Sequence, residues 1–279
     1  MIGQILEGFS FHAQWNGGII FFSLILIVLY LFLLPTSKSH TTFKSIAFIS
    51  SMILILLTMG SPLNLLGRML FRAHIIQMIL LLLVVAPLIV MGLKTDLLEK
   101  LLNKGVARKI YSVLTHPVFT IVLFHALFMG YHIPVVFDWI RTGYFTNYFF
   151  LIGLVVAAML VWWPLISPIQ KYDRLNIKKK FIYIFVNVLL FIPVTLFLLL
   201  ADKELYTVYS DTSLMLSALE LCLPPGTEIP ANFLETLLPY PPFAEQKNGA
   251  ILLGISQAVL FGIGALLIYL KERRAKKAV

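Results

Sequence analysis

Seven stretches of this sequence, roughly 17–34, 43–60, 69–93, 117–137, 147–167, 180–201 and 248–270, are almost wholly apolar. A helix needs about 20 such residues to cross hydrocarbon, where every backbone N–H and C=O must be paired inside the structure. Unbroken Leu, Ile and Phe runs lack the apolar–polar alternation of a barrel strand. The pattern predicts an all-α integral membrane bundle of seven transmembrane helices, a single domain over 1–279. Composition agrees: 13% of the 279 residues are charged and 59% hydrophobic, whereas soluble domains carry about a quarter charged residues. The first two runs are short and should stand nearly upright; the third is long enough to tilt.

Cations gather on one side of these runs. Lys38 and Lys44, then Lys94, Lys100, Lys104, Arg108 and Lys109, then Lys171, Arg174, Lys178, Lys179 and Lys180, then Lys271, Arg273, Arg274, Lys276 and Lys277 fall in alternate connections and the C-terminal tail. The other side holds Arg68, Arg72, Arg141, Lys203 and Lys247. Cytoplasmic segments retain Lys and Arg, so the C-terminus is expected in the cytoplasm and the N-terminus outside. The net charge of +9 is thus a matter of topology. It does not form the basic, aromatic-interleaved patch of a nucleic-acid binder, and no nucleic-acid partner is expected.

Two connections are more than turns. Within 94–112, Leu97, Leu98, Leu101, Leu102, Val106 and Ile110 fall near helical spacing between cations, as expected for a helix lying on the inner membrane surface. The connection 202–247 is the largest extracytoplasmic segment. It carries Asp202, Glu204, Asp211, Glu220, Glu228, Glu235 and Glu245, an amphipathic stretch from Asp211 to Leu223, and Pro224, Pro225, Pro230, Pro239, Pro241 and Pro242. The lone cysteine, Cys222, excludes an intramolecular disulfide and a CxxC motif. Residues 1–18 hold no Lys or Arg, so the basic start of a cleavable signal is lacking and the first helix is expected to remain.

Ionisable groups inside hydrocarbon are costly and mark candidate sites. His74 lies about five residues into the third run, hence about 8 Å deep at 1.5 Å per residue, and His132 lies at a matching depth in the fourth. His125 is two turns further down. Met78 stands at i+4 from His74, and Met129 between His125 and His132, each within one helical stripe. Imidazole with thioether suits Cu(I), whereas carboxylates would suggest Mg or Ca. His74 and His132 could share one ion, with Met78, Met129 or His125 completing the donor set. A core histidine or a filler methionine is the plain structural alternative. His12, His40 and His116 lie outside the runs. Trp162 and Trp163 read as interface anchors, and Glu245 as a carboxylate facing the start of the last helix. No nucleophile elbow, phosphate loop or HExxH helix is present, so no enzyme is expected.

A set of short segments resembles the CtaG family of cytochrome c oxidase assembly factors of Gram-positive bacteria. It comprises Ser61-Pro62-Leu63; Ala73-His74-Ile75-Ile76-Gln77-Met78; Ala86-Pro87-Leu88; His116-Pro117; Tyr131-His132-Ile133-Pro134 with Asp138; Trp162-Trp163-Pro164; and Glu245-Gln246 with Gly249. The resemblance covers nearly the whole chain in order. It implies a seven-helix protein of the bacterial plasma membrane that helps build a caa-type oxidase by delivering copper, with His74 and His132 matching the family's histidines. Met78 stands where many members have a second histidine, Asn147 and Leu151 where many have histidines, and Glu245 where Asp is usual. The implied partners are the cytochrome c oxidase subunits, an extracytoplasmic copper donor docking at 202–247, and the lipid bilayer; whether the bundle forms a homo-oligomer is left open. Two rival functions remain. A membrane cytochrome b would ligate haem through His74 and His125 or His132. A copper transporter would need inner-half donors, for which the chain offers Met91 and Met159.

Overall fold

Each apolar run becomes helix, and the breaks fall where proline or a polar cluster removes the next backbone bond. The computed structural model describes residues 2–37, 40–102, 105–221, 223, 226 and 240–277. Lys38, Lys104, Cys222, Glu228, Glu235, Pro224, Pro225, Pro230 and Pro239 lie outside the described residues. Among those described the structure is helical, without strands. We label the helices α1 (Ile2–Glu7), α2 (Phe11–Gln14), α3 (Gly17–Leu33), α4 (Thr42–Met59), α5 (Pro62–Met69), α6 (Phe71–Gly92), α7 (Thr95–Leu102), α8 (Gly105–Leu114), α9 (Pro117–Tyr131), α10 (Pro134–Thr142), α11 (Tyr144–Ile166), α12 (Ile177–Leu200), α13 (Thr212–Glu220) and α14 (Pro242–Lys277). Five of these, α4, α6, α11, α12 and α14, are long and apolar enough to cross a membrane, and a sixth is gained if α8 and α9, bent by 60°, count as one span. The apolar helix α3 has 17 residues.

Helix α6 is the most enclosed of the candidate spans and packs against α4, α11 and α14. Large apolar side chains point outward around the bundle: Phe32, Phe145 and Phe149 are 78%, 84% and 76% exposed. An apolar belt of this kind is compatible with lipid and not with water. At the end opposite most of the cations, Ile5, Phe9, Leu65, Met69, Leu70, Met215 and Leu219 form a separate small core joining α1, α5 and α13. We call this the cap end and the other the basic end.

Pro87 shapes the centre of α6. The turns Leu80–Val85 widen into π-helix, so that the Ala86 N–H bonds Leu81 O. In that register Leu82 O would be served by residue 87, a proline with no N–H. The indole of Trp162 supplies the missing donor, Nε1–H to Leu82 O at 3.1 Å, and stacks on Phe261 with centroids 4.8 Å apart. Trp162 is therefore a buried brace between α6, α11 and α14, not the interface anchor expected from sequence. Trp163, half-buried, donates to the Tyr111 hydroxyl at 3.0 Å.

Other boundaries differ from expectation for equally local reasons. The fourth run, expected over 117–137, stops at Tyr131, because Pro134 biases Ile133 out of the helical region (φ −67, ψ 124) and α10 starts afresh. The last helix begins at Pro242, so Glu245 lies in its first turn; rather than acting only on the helix end, it pairs with Arg72 of α6 at 3.1 Å. The surface segment 94–112 is two helices, α7 and α8, with Val106 and Ile110 facing outward. Helix α13 covers most of the expected 211–223 stretch, with Asp211 as its N-cap accepting from Leu214 N at 2.9 Å.

Candidate metal centre

His74 is placed by a break. Ser61 caps α5, its Oγ accepting from Leu63 N at 3.2 Å. Leu70 is extended, and α6 starts at Phe71 with His74 in its first turn, 1% exposed. The ring lies against Tyr131 and Phe137, centroids 5.8 and 5.3 Å away. Nε2 has a long 3.4 Å contact with the Tyr131 hydroxyl. Gln77 interacts with the ring but gives Nδ1 no hydrogen bond of good geometry. Its own amide is fixed, Nε2 donating to Thr58 O at 2.7 Å and Asn64 Oδ1 at 3.1 Å.

His132 is placed by the end of α9. Its backbone leaves the helix at φ −87, ψ 3, and its N–H bonds Met129 O. Its ring touches Phe128, Tyr131 and Phe137, at 4.4, 5.4 and 6.5 Å. The ring Nδ1 is 2.7 Å from Phe128 O. A carbonyl only accepts, so the proton belongs on Nδ1 and the lone pair on Nε2. That Nε2 is buried and has no hydrogen-bond partner. The two histidines thus share Tyr131 and Phe137 as neighbours, and each turns one ring nitrogen to a place where no protein donor meets it.

The other expected donors are less closely joined. His125, on α9, directs Nε2 to Asn187 Oδ1 of α12 at 3.1 Å and packs on Phe124 and Phe191. Asn187 in turn donates to Tyr183 O at 2.8 Å, so His125 sits in a network of its own deeper in the bundle. Met78 is fully buried in the main core one turn below His74, and Met129 is half-buried against that core. Among the described residues, no group of three or more His, Cys, Asp or Glu side chains is placed to hold a metal.

A short strap following α12 roofs the histidines. The Gln246 side chain accepts from Leu205 N at 2.8 Å and donates to Leu198 O at 3.1 Å. The Asp138 carboxylate accepts from Thr207 N at 3.0 Å and Val208 N at 3.1 Å. Tyr206 lies on Phe137, centroids 4.2 Å apart, and donates to His132 O at 3.0 Å. Tyr209 donates to Gly67 O at 3.0 Å. Burial raises both tyrosine pKa values above the ordinary range, that of Tyr209 to about 12, so both hydroxyls remain donors at neutral pH. Beside them lie two buried arginines: Arg68 donates to Arg141 O at 2.9 Å, and Arg141 donates back to Gly67 O.

Sequence reasoning took Arg68 and Arg141 only as markers of an outer segment and passed over Tyr206 and Tyr209. The available signal was Asp138, four residues past the helix-breaking Pro134, and two tyrosines spaced three apart within an otherwise acidic connection.

The chain matches the family model described as cytochrome c oxidase caa3 assembly factor, Caa3_CtaG, over residues 28–275. It belongs to the Caa3_CtaG family. No curated protein and no solved structure matches it. Membership supports a role for the chain in oxidase assembly, with oxidase-related partners. The Caa3_CtaG match takes in α4 to α14, hence both histidines, Asp138 and the strap; α1, α2 and most of α3 precede it.

Proposed function

We propose that this Caa3_CtaG protein is a membrane metallochaperone that holds Cu(I) between His74 and His132 and passes it to a cytochrome c oxidase. The observation that carries the reading is the bare, buried Nε2 of His132 beside a second buried imidazole whose strongest contact is only 3.4 Å long. Unpaired polar atoms in a dry site are costly, and a soft cation would supply the partner. Nδ1–H to Phe128 O fixes the tautomer in which His132 Nε2 can ligate. Met78 and Met129 are the nearest soft donors along the two helices, and two or three ligands of this kind suit a metal that must be handed on. His125, held by Asn187, supports the site from below.

In this reading all seven apolar helices span, α3 and α9 included. The basic end faces the cytoplasm of a bacterial plasma membrane, and the N-terminus and the acidic connection face outward, where oxidase subunits or a copper donor would dock. The metal is exchanged between ligand sets and no reaction is catalysed. Of the two haem pairings, His74 with His125 is disfavoured by the engagement of His125 with Asn187, which would have to be broken for axial ligation.

The test is to replace His74 and His132 with Ala, singly and together, in the full chain. Copper bound by the purified protein and oxidase activity in cells should fall in parallel. An unchanged copper content in the double variant refutes the site, and a Soret band in the purified protein would replace copper with haem.

A further inference from the structure

A second polar site lies at the basic end, between the last turn of α3, the start of α4 and the start of α7. Pro35, Ser37, His40, Lys44, Lys94 and Thr95, together with Asp96, line a shallow open cleft of about 10 Å³, roughly the room of one water. Lys94 is 9% exposed, and its ammonium donates to Leu34 O and Thr36 Oγ1, both at 2.7 Å, and lies 4.8 Å over the Tyr30 ring. The Lys44 ammonium reaches Thr95 Oγ1 at 3.1 Å. Among the described residues neither ammonium has a carboxylate within salt-bridge distance. Two positive charges therefore border the cleft, each held by neutral oxygens, with the Asp96 carboxylate also in its lining. Burial lowers the pKa of Lys94, and burial followed by the charges of Lys94 and Lys44 lowers that of His40, with Asp96 opposing.

The residues flanking this lining along the chain are apolar and outward-facing. Phe32 and Leu33 end α3, and Phe43 and Ile46 begin α4, with exposures of 78%, 68%, 58% and 57%. A ligand with an anionic head and hydrocarbon chains would satisfy both parts, whereas a free anion would leave the walls unused. We propose that the open mouth of this cleft seats the phosphodiester head of an anionic glycerophospholipid, with its acyl chains lying along the Phe32–Leu33 and Phe43–Ile46 surface. Lys44 and Lys94 hold the phosphate oxygens, and the Thr95 and Ser37 hydroxyls are within the same lining. Basic pockets between spanning helices favour anionic headgroups for this reason.

Delipidated full-length protein in detergent, titrated with phosphatidylglycerol or phosphatidylcholine of equal chain length and read by native mass spectrometry, provides the test. One phosphatidylglycerol should be retained per chain, with phosphatidylcholine bound at least about tenfold more weakly. Lys44→Gln, which alters a half-buried side chain, should weaken phosphatidylglycerol about tenfold, the order expected for losing a charged hydrogen bond, with thermal unfolding recorded to show the bundle intact. Lys109→Gln, on the exposed face of α8, should leave binding unchanged. Equal retention of the two lipids, wild-type affinity in Lys44→Gln, or displacement of phosphatidylglycerol by equimolar inorganic phosphate would each overturn the proposal, the last by showing a soluble-phosphate site.

Discussion

Replacing Asp138 with Ala should release the strap over the two histidines without unfolding the bundle. Its carboxylate accepts two backbone N–H groups, Thr207 at 3.0 Å and Val208 at 3.1 Å. Hydrogen bonds to a charged group contribute about 1.5–3 kcal/mol each when buried. The Thr207 bond is solvent-exposed, so about 1 kcal/mol each, near 2 kcal/mol together, is the better figure. Two kcal/mol is about a 30-fold change in an opening equilibrium. Amide hydrogen exchange at Thr207 and Val208 should therefore speed up about 30-fold, while amides in α11 keep their protection. If Tyr206 lies over the metal site as its bond to His132 O indicates, copper should also load and leave faster at unchanged stoichiometry. Unchanged exchange in the strap would refute the role given to Asp138, and acceleration throughout α11 would show a global loss of stability instead.

Three further outcomes are expected. Trp162→Phe leaves Leu82 O without its donor and should lower stability by about 1–3 kcal/mol, seen as a lower unfolding midpoint in detergent. Gly249→Ala should cost about 1–3 kcal/mol, because a Cβ there would stand 2.9 Å from the Phe71 ring between α6 and α14; the same unfolding assay reads it. Because the folded His40 pKa is lowered, the unfolded chain binds its proton first on acidification. Stability should therefore fall as the pH drops below about 6.5, and His40→Gln should flatten that dependence.

Much of the scaffold was legible because hydrocarbon permits so few solutions. The run expected at 69–93 is the helix Phe71–Gly92, and 180–201 is Ile177–Leu200. Hydropathy failed where the backbone rather than the side chain decides. Ile133 to Phe137 are as apolar as the helix before them apart from Pro134, yet that proline ends α9. The same break separates His125 from His132. Seven residues are two helical turns, so His125 and His132 would share a face only if the helix ran through both; His132 lies one residue past its end and turns to Phe128 and Tyr131, while His125 faces Asn187. Trp162 was misread because hydropathy carries no sign of a π-turn on a different helix. Matched depth did bring His74 and His132 to the same pair of rings, since helical rise is a reliable ruler. The strap was invisible because Tyr206 and Tyr209 acquire their meaning only from contacts more than 70 residues away along the chain.

X-ray absorption at the copper edge of the reconstituted protein bears most directly on the proposed copper site. Two imidazole nitrogens should appear in the copper shell of the wild type, and one should vanish in each of His74→Ala and His132→Ala. A copper shell that is the same in all three proteins, or that holds no imidazole, would contradict the account.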